Sequence, residues 1–307
     1  MKIFTELNKN NNLSLALGFF DGVHSAHQAV IKSAVDFAKQ NGNKSAVITF
    51  SEHPCCYFRG ICPKYITNQR DQKIEELGVD YLYKLDFKSI AGLTAQDYLK
   101  DILVNHFTPL SISTGWNHNF GYKKSGDVKF LHENSKKYGY EYFELPPQKL
   151  DNEIISSTTI RKLLSQGKIE KANLMLGYKF SITGEVIKGN QIGRTIGFKT
   201  ANLIYPPELI ELPYGVYSVD VFFKSTLTPT LSQREGAINK AIANYGIRPT
   251  LNGSQAVLEV HILDFDKDIY GETITVDFNK IIRPEKKFSS LDTLKTQIQK
   301  DIDSITG

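Results

Sequence analysis

The sequence predicts an α/β domain built on a doubly wound parallel sheet, followed by a mostly β barrel that ends in a C-terminal helix. Two observations carry this. Strand-like and helix-like segments alternate through the first half, whereas from about Tyr178 short apolar alternations follow one another across turns. A third is length: 307 residues exceed the usual size of one domain. Two domains are expected, 1–177 and 178–307, with the boundary between Gly167 and Tyr178, after two short helical patterns.

The first expected strand is Leu13–Leu17, LSLAL. A helix follows it, in which Ala29, Val30, Ala34, Val35, Phe37 and Ala38 recur at spacings of three and four. Further strands are expected at Ala46–Phe50, Tyr81–Leu85, Leu110–Thr114 and Tyr140–Leu145. Helical stretches lie between them, at Asp71–Leu77 and in the run opening at Thr94, where TAQD reads as an N-cap with an acid three positions on. In such a sheet, ligands bind outside the carboxyl ends of the strands. The second half reads as strands in KFSITGEVIKG, GVYSVDVFF, AIANYG, LEVHILDF and ETITVDF, closed by a helix near Leu291–Ile302. Residues 225–236, STLTPTLSQREG, are polar and non-periodic, an inserted loop or hairpin extension.

Composition narrows the function classes. With 41% hydrophobic and 23% charged residues the chain is ordinary for a globular protein. A formal net charge of +4 and the lack of a dense Lys/Arg tract suit small anionic ligands better than a nucleic-acid surface, and no nucleic-acid partner is expected. No apolar core follows the lysine of MKIFTELNKNNN and no run of 18 apolar residues occurs, so neither secretion nor a membrane span is expected and the cytoplasm is the default. Cys55, Cys56 and Cys62 are an odd count without an export signal, which argues against a disulfide framework. With His53 they fit no common zinc spacing, and they read as a cysteine-containing loop after a strand.

The turn GFFDGVHSAH, Gly18 to His27, carries the first chemistry. A strand that breaks through glycines into a helix presents unpaired backbone N–H groups where the macrodipole also favours an anion. His24 and His27 stand one turn apart there, suited to a polyphosphate or to capping the helix. FSEHP, Phe50 to Pro54, follows the second strand; His53 reads either as a phosphate or flavin contact or as a satisfied loop residue beside a strand-stopping proline. TGWNHNFGYKKSGD follows the fourth strand. In ISSTTIRKLL, Ser156, Ser157 and Thr158 offer a cap and hydroxyl donors, with Arg161 projecting one turn on as a fork-shaped phosphate ligand.

GFFDGVHSAH resembles the GxFDGxHxGH signature of the nucleotidylyltransferase superfamily, and its FDG narrows the resemblance to the bacterial bifunctional riboflavin kinase/FAD synthetase family. The resemblance implies that Gly18, Phe20, Asp21, Gly22, His24 and His27 hold ATP during adenylyl transfer to FMN, together with Ser156, Ser157, Thr158 and Arg161. Ala26 stands where the family has glycine, a methyl group at a point of close nucleotide approach. TGWNHNFGYKKSGD resembles the family's GxDFxFGxxxxGD stretch, with Asn117 in the place usually held by Asp and His118 replacing an aromatic. An amide at Asn117 still donates to and accepts from a substrate. The α/β half is thereby expected to be the FMN adenylyltransferase domain, in which the FMN phosphate attacks the α-phosphorus of ATP and pyrophosphate leaves.

The second half resembles the riboflavin-kinase barrel of the same family. GEVIKGNQIGRTIGFKTANL, Gly184 to Leu203, is similar to GxVxxGxxxGRxLGxPTANL. Its glycines allow a tight loop around phosphates, which points to Gly189 and Gly193, and the resemblance adds Arg194. The resemblance implies that Thr200 and Asn202 bind Mg²⁺ and phosphate oxygens; Lys199 replaces the motif's proline. ANYGIRPTL resembles NxGxRPT, a segment near the substrate, and LEVHILDF then places Glu259 where the kinase has its base. A lone glutamate on such a strand is otherwise a solvent-facing residue. Arg283, in IIRPEKKFSSLDTLKTQIQKDI, either touches flavin or ADP or pairs with an acidic neighbour.

The implied activity is phosphorylation of riboflavin to FMN and adenylylation of FMN to FAD, with ATP as co-substrate and Mg²⁺ assisting, in a monomer or weak homo-oligomer. Two alternatives stand beside it: a riboflavin kinase whose adenylyltransferase half has weakened, and a non-catalytic flavin-binding regulator.

Overall fold

The computed structural model describes residues 1–189, 197–223, 238–250 and 253–306. The expected glycine-loop residues Gly193 and Arg194 and the insertion 225–236 lie outside them. The chain divides into two compact units: Met1–Pro63 with Arg70–Ser156, and Lys64–Gln69 with Ser157–Gly307.

The first unit holds a six-stranded sheet in the order β1 (Lys2–Phe4), β4 (Tyr81–Leu85), β3 (Lys44–Phe50), β2 (Leu13–Leu17), β5 (Ser111–Gly115), β6 (Glu141–Leu145). Every neighbouring pair is parallel. All five residues of β2 are buried, because a central parallel strand is covered on both faces. Alternation sorts its side chains: Leu13, Leu15 and Leu17 join one core cluster, and Ala16 joins the other with Val30, Ile31, Ala34 and Val35 of α1 (Ser25–Asn41). Helix α1 ends at Gly42, whose φ of +66° forms the left-handed cap. The expected N-cap Thr94 accepts from the amide of Asp97, 3.2 Å away.

The short β1 was not foreseen: three residues give too little pattern to read. The cysteines require a correction. Cys56 and Cys62 form a disulfide across Cα atoms 4.3 Å apart, leaving Cys55 free. The helix α2 (Pro54–Arg59) ends at Gly60 in the left-handed region, which turns the chain back and brings Cys62 to Cys56.

In the second unit, α3 (Ser157–Ser165) and α4 (Ile169–Leu176) precede a six-stranded sheet, counted among the described residues. Its order is β7 (Ser181–Glu185), β12 (Thr273–Pro284), β9 (Gly215–Phe223), β10 (Asn239–Thr250), β11 (Gly253–Ile262), β8 (Ala201–Ile204), all antiparallel. The Ile187 amide donates to the Asn202 carbonyl at 2.8 Å, an antiparallel bridge that brings the chain beyond β7 to β8 and nearly closes a barrel. α5 (Leu291–Thr306) ends the chain. Strand β8 went unread because its TANL belongs to a stretch that reads as glycine-rich loop.

Candidate active sites

The strand order of the first unit reverses between β2 and β5, and ligand crevices in such sheets open at that switch point, outside the carboxyl ends. The chain leaves β2 into Gly18–His24. Phe20 adopts φ 59°, Gly22 φ 75° and Val23 φ 39°, three left-handed residues in four that fold the backbone tightly before α1. A Cβ on Gly18 would lie 2.9 Å from the Phe20 ring, so glycine is what lets that ring tuck under the turn. His24 caps α1, its Nδ1 accepting from the His27 amide at 3.3 Å. The two imidazoles stack with centroids 3.6 Å apart, and His27 also meets Phe20 edge-on at 5.3 Å. Asp21 and His24 are buried. The six expected residues of this turn are therefore gathered into one structure.

Arg70 is a contributor that pattern reading missed. Its guanidinium donates to the carbonyls of Phe19 (3.3 Å) and Phe50 (3.0 Å), tying the exits of β2 and β3, and lies 4.6 Å from the Phe19 ring centroid. The basic residue opens a helix, and nothing in its local sequence separates it from a surface arginine. His53 accepts from the Cys55 amide at 3.1 Å and meets Phe19 edge-on at 4.6 Å.

After β5, Asn117 is exposed and its carbonyl accepts from Asn119 at 2.8 Å. His118 stacks on Phe120 at 5.7 Å, and burial lowers its pKa to about 4. It is a neutral ring at pH 7 and packs as the aromatic it replaces. Ser156 closes the first unit; Ser157, Thr158 and Arg161 lie on the first turns of α3 in the second, where Arg161 Nε donates to the Lys64 carbonyl at 2.8 Å.

In the second unit the ladder registers Asn202 on β8 against Glu259 on β11, and Glu259 against Asn244 on β10. Residues paired across strands share a face, so the three form a row of polar side chains. Their strand neighbours Leu258, Val260, Ala243 and Tyr245 are buried on the core side. The row lines a cavity of about 370 Å³, with Thr200, Phe198, Arg248 and, from the chain's end, Phe288, Leu294 and Ile298. That volume suits a small ligand.

Glu259 accepts from Arg248 Nη2 at 3.0 Å, Arg248 Nε at 3.3 Å and Asn244 Nδ2 at 3.3 Å. Arg248 also reaches Glu285 at 3.2 Å, and two carboxylate partners raise its pKa. A Cβ on Gly189 would fall 2.5 Å from the Asn202 amide, so the backbone there has room for that side chain and no more. Arg283 forks onto the buried Asp301 of α5, Nε lying 3.0 and 2.9 Å from the two oxygens, and it also lines the cavity. Lys199 is ion-paired with Asp266.

A tight turn before a helix at a parallel-sheet switch point, with a second polar site on an antiparallel near-barrel, gives the chain two candidate ligand sites, the form of a two-site transferase. The comparisons agree with that class. The FAD synthetase family matches residues 6–159 and the riboflavin kinase family residues 176–306. The bifunctional riboflavin kinase/FMN adenylyltransferase of Haemophilus influenzae is 37% identical over 95% of this chain and 92% of its own; that of Listeria monocytogenes is 36% identical over 97% and 91%. A solved Streptococcus pneumoniae structure, described as a macrolide-efflux protein, superposes with a TM-score of 0.85 at 32% identity, covering 99% of this chain and 98% of that one. Among the described residues, no helix here is long and apolar enough to cross a membrane. The chain belongs to the bifunctional riboflavin kinase/FMN adenylyltransferase family, the enzymes that make FMN and FAD.

Proposed function

We propose that residues 1–177 carry adenylyl transfer and residues 178–307 the kinase reaction, and that each uses the side chains set out above. In the kinase reaction the riboflavin 5′-hydroxyl attacks the γ-phosphorus of ATP. Glu259 accepts the hydroxyl proton as the new P–O bond forms and ADP leaves with the old one. The observation that carries this is the row Asn202–Glu259–Asn244, which sets a carboxylate between two amides on the wall of a ligand-sized cavity.

Thr200 and Asn202 supply neutral oxygen donors on the same wall, the kind of ligand set that leaves a cation's remaining positions to phosphates and water. Mg²⁺ fits that set, and when bound it would neutralise charge on the phosphates. Gly189, with Gly193 and Arg194, is assigned to the phosphate loop.

In the adenylyl transfer an FMN phosphate oxygen attacks the α-phosphorus of ATP, and pyrophosphate leaves. No proton has to be removed from the nucleophile, so the residues' work is charge stabilisation. His24 and His27 are assigned to the phosphates, with Ser156, Ser157, Thr158 and Arg161. Gly18, Phe20, Asp21 and Gly22 shape the turn that presents them. Asn117 is assigned to the flavin nucleotide.

The test is full-length protein incubated with riboflavin, ATP and Mg²⁺, with FMN and FAD resolved by chromatography. FAD accumulation supports both sites; FMN alone refutes the adenylyl half, and neither product refutes the whole. Glu259→Gln is expected to lower FMN formation by about 10²–10⁴-fold, the usual worth of a general base, while FAD formation from supplied FMN persists.

A further inference from the structure

Beyond Asn244, the segment ANYGIRPTL holds Gly246 and Arg248 in a defined arrangement. Arg248 is held at three kinds of partner. Its Nε and Nη2 fork onto the two oxygens of Glu259 at 3.3 and 3.0 Å. Its Nη1 reaches Glu285 Oε1 at 3.2 Å and the Ile247 carbonyl at 3.1 Å. Independently, a Cβ on Gly246 would lie 3.0 Å from both Arg248 Nη1 and Glu285 Oε1. Only a residue without a side chain leaves that pair undisturbed.

We infer that Arg248 is a positioning residue for riboflavin phosphorylation: anchored by Glu285 in space left by Gly246, it locks the plane of the Glu259 carboxylate toward the substrate hydroxyl. The inference rests on Glu259 being the base. A guanidinium fork fixes a carboxylate in plane, which a single hydrogen bond does not. Oε2 takes both Arg248 Nη2 and Asn244, whereas Oε1 keeps a lone pair beyond the one Arg248 Nε uses, so the lock leaves Oε1 of Glu259 able to accept a proton. Glu285 gives the arginine a second hold that survives when Glu259 becomes neutral during the reaction. Neighbouring Arg283 cannot take over this role, because its guanidinium is committed to Asp301.

The test compares Arg248→Met, Arg248→Lys, Glu285→Gln, Gly246→Ala and Glu259→Gln in the full chain, each first checked by thermal melt. The readouts are kcat and KM for FMN formation. Arg248→Met is expected to lower kcat by roughly 10–100-fold, the scale of a misplaced reacting group, with both KM values within about twofold. Arg248→Lys should recover only part of the loss, since one ammonium cannot hold two oxygens in plane. Gly246→Ala keeps every charge but crowds the pair, and should lower kcat severalfold at constant KM.

Full kcat in Arg248→Met, with Glu259→Gln inactive, overturns the positioning role and leaves the base intact. An active Glu259→Gln overturns the base itself. If Arg248→Met does not fold, unchanged kcat in both Gly246→Ala and Glu285→Gln overturns the inference.

Discussion

The two candidate sites are built from different parts of the chain. In the first unit the site is a loop at the end of a parallel strand. Its shape comes from backbone in the left-handed region at Phe20, Gly22 and Val23, and its first histidine is also a helix cap. In the second unit the site is a row of side chains across antiparallel strands, set by register alone: Asn202, Glu259 and Asn244. A parallel sheet is covered on both faces, so only its ends are open for chemistry. An antiparallel sheet can leave one face to a ligand. The proposed chemistry follows the same division. Transfer to a phosphate that is already ionised requires no base, and the loop offers donors. Transfer to a hydroxyl requires one, and the row centres on a carboxylate.

That contrast predicts different sensitivities. His24 joins an imidazole to a capping role, so the two must be separated. His24→Asn keeps a side chain able to cap α1 and removes the ring that stacks on His27. Loss of one charge-stabilising contact should lower FAD formation by about 10²–10³-fold, with FMN formation from riboflavin unchanged. Steady-state assays of the two half-reactions check it. A parallel fall in both would show that the sites are not independent.

The second site should fail through Gly189, a residue of the proposed phosphate loop that lends no side chain. Gly189→Ala would put a methyl group 2.5 Å from the Asn202 amide, which is itself buried. Something must move, and the amide is the nearest atom group. The expected outcome is a rise of about tenfold in KM for ATP in FMN formation, of the order of one lost hydrogen bond to a charged group. FAD formation from supplied FMN should not change. An unchanged KM would mean that the loop gives way instead and that Asn202 does not depend on it.

Much of the fold is legible in the sequence. Strands β2 and β4 fall where the apolar alternation put them, because each is short, buried and bounded by turn residues. The turn Gly18–His27 is legible through its resemblance to a family motif, since its residues alone also read as a capped helix. What escaped was whatever depends on residues distant in sequence. Arg248 and Glu259 are eleven positions apart and meet through a hairpin register that a pattern cannot supply. Arg70 bonds two carbonyls 51 and 20 positions away, and its own sequence context is that of any helix start. The Cys56–Cys62 bridge escaped for the opposite reason: counting cysteines treated the chain as a whole, whereas one local turn at Gly60 sufficed.

Ala26 is the smallest and most informative perturbation of the loop site. It occupies the second position of α1, inside the helix and half-buried. Local stability therefore favours alanine over the glycine of the family motif, by about 0.5–1 kcal/mol in a helix interior and less so near its start. Catalysis favours the reverse if the nucleotide must approach the backbone there. Ala26→Gly separates the two demands. The melting temperature should fall slightly, by a degree or two for a domain of this size. FAD formation should stay equal or rise, most visibly as a lower KM for ATP. A sharp fall in FAD formation without unfolding would show instead that the turn has adjusted around the methyl group. In that case the left-handed run at Phe20, Gly22 and Val23, rather than the missing glycine, sets how closely a triphosphate can come to α1.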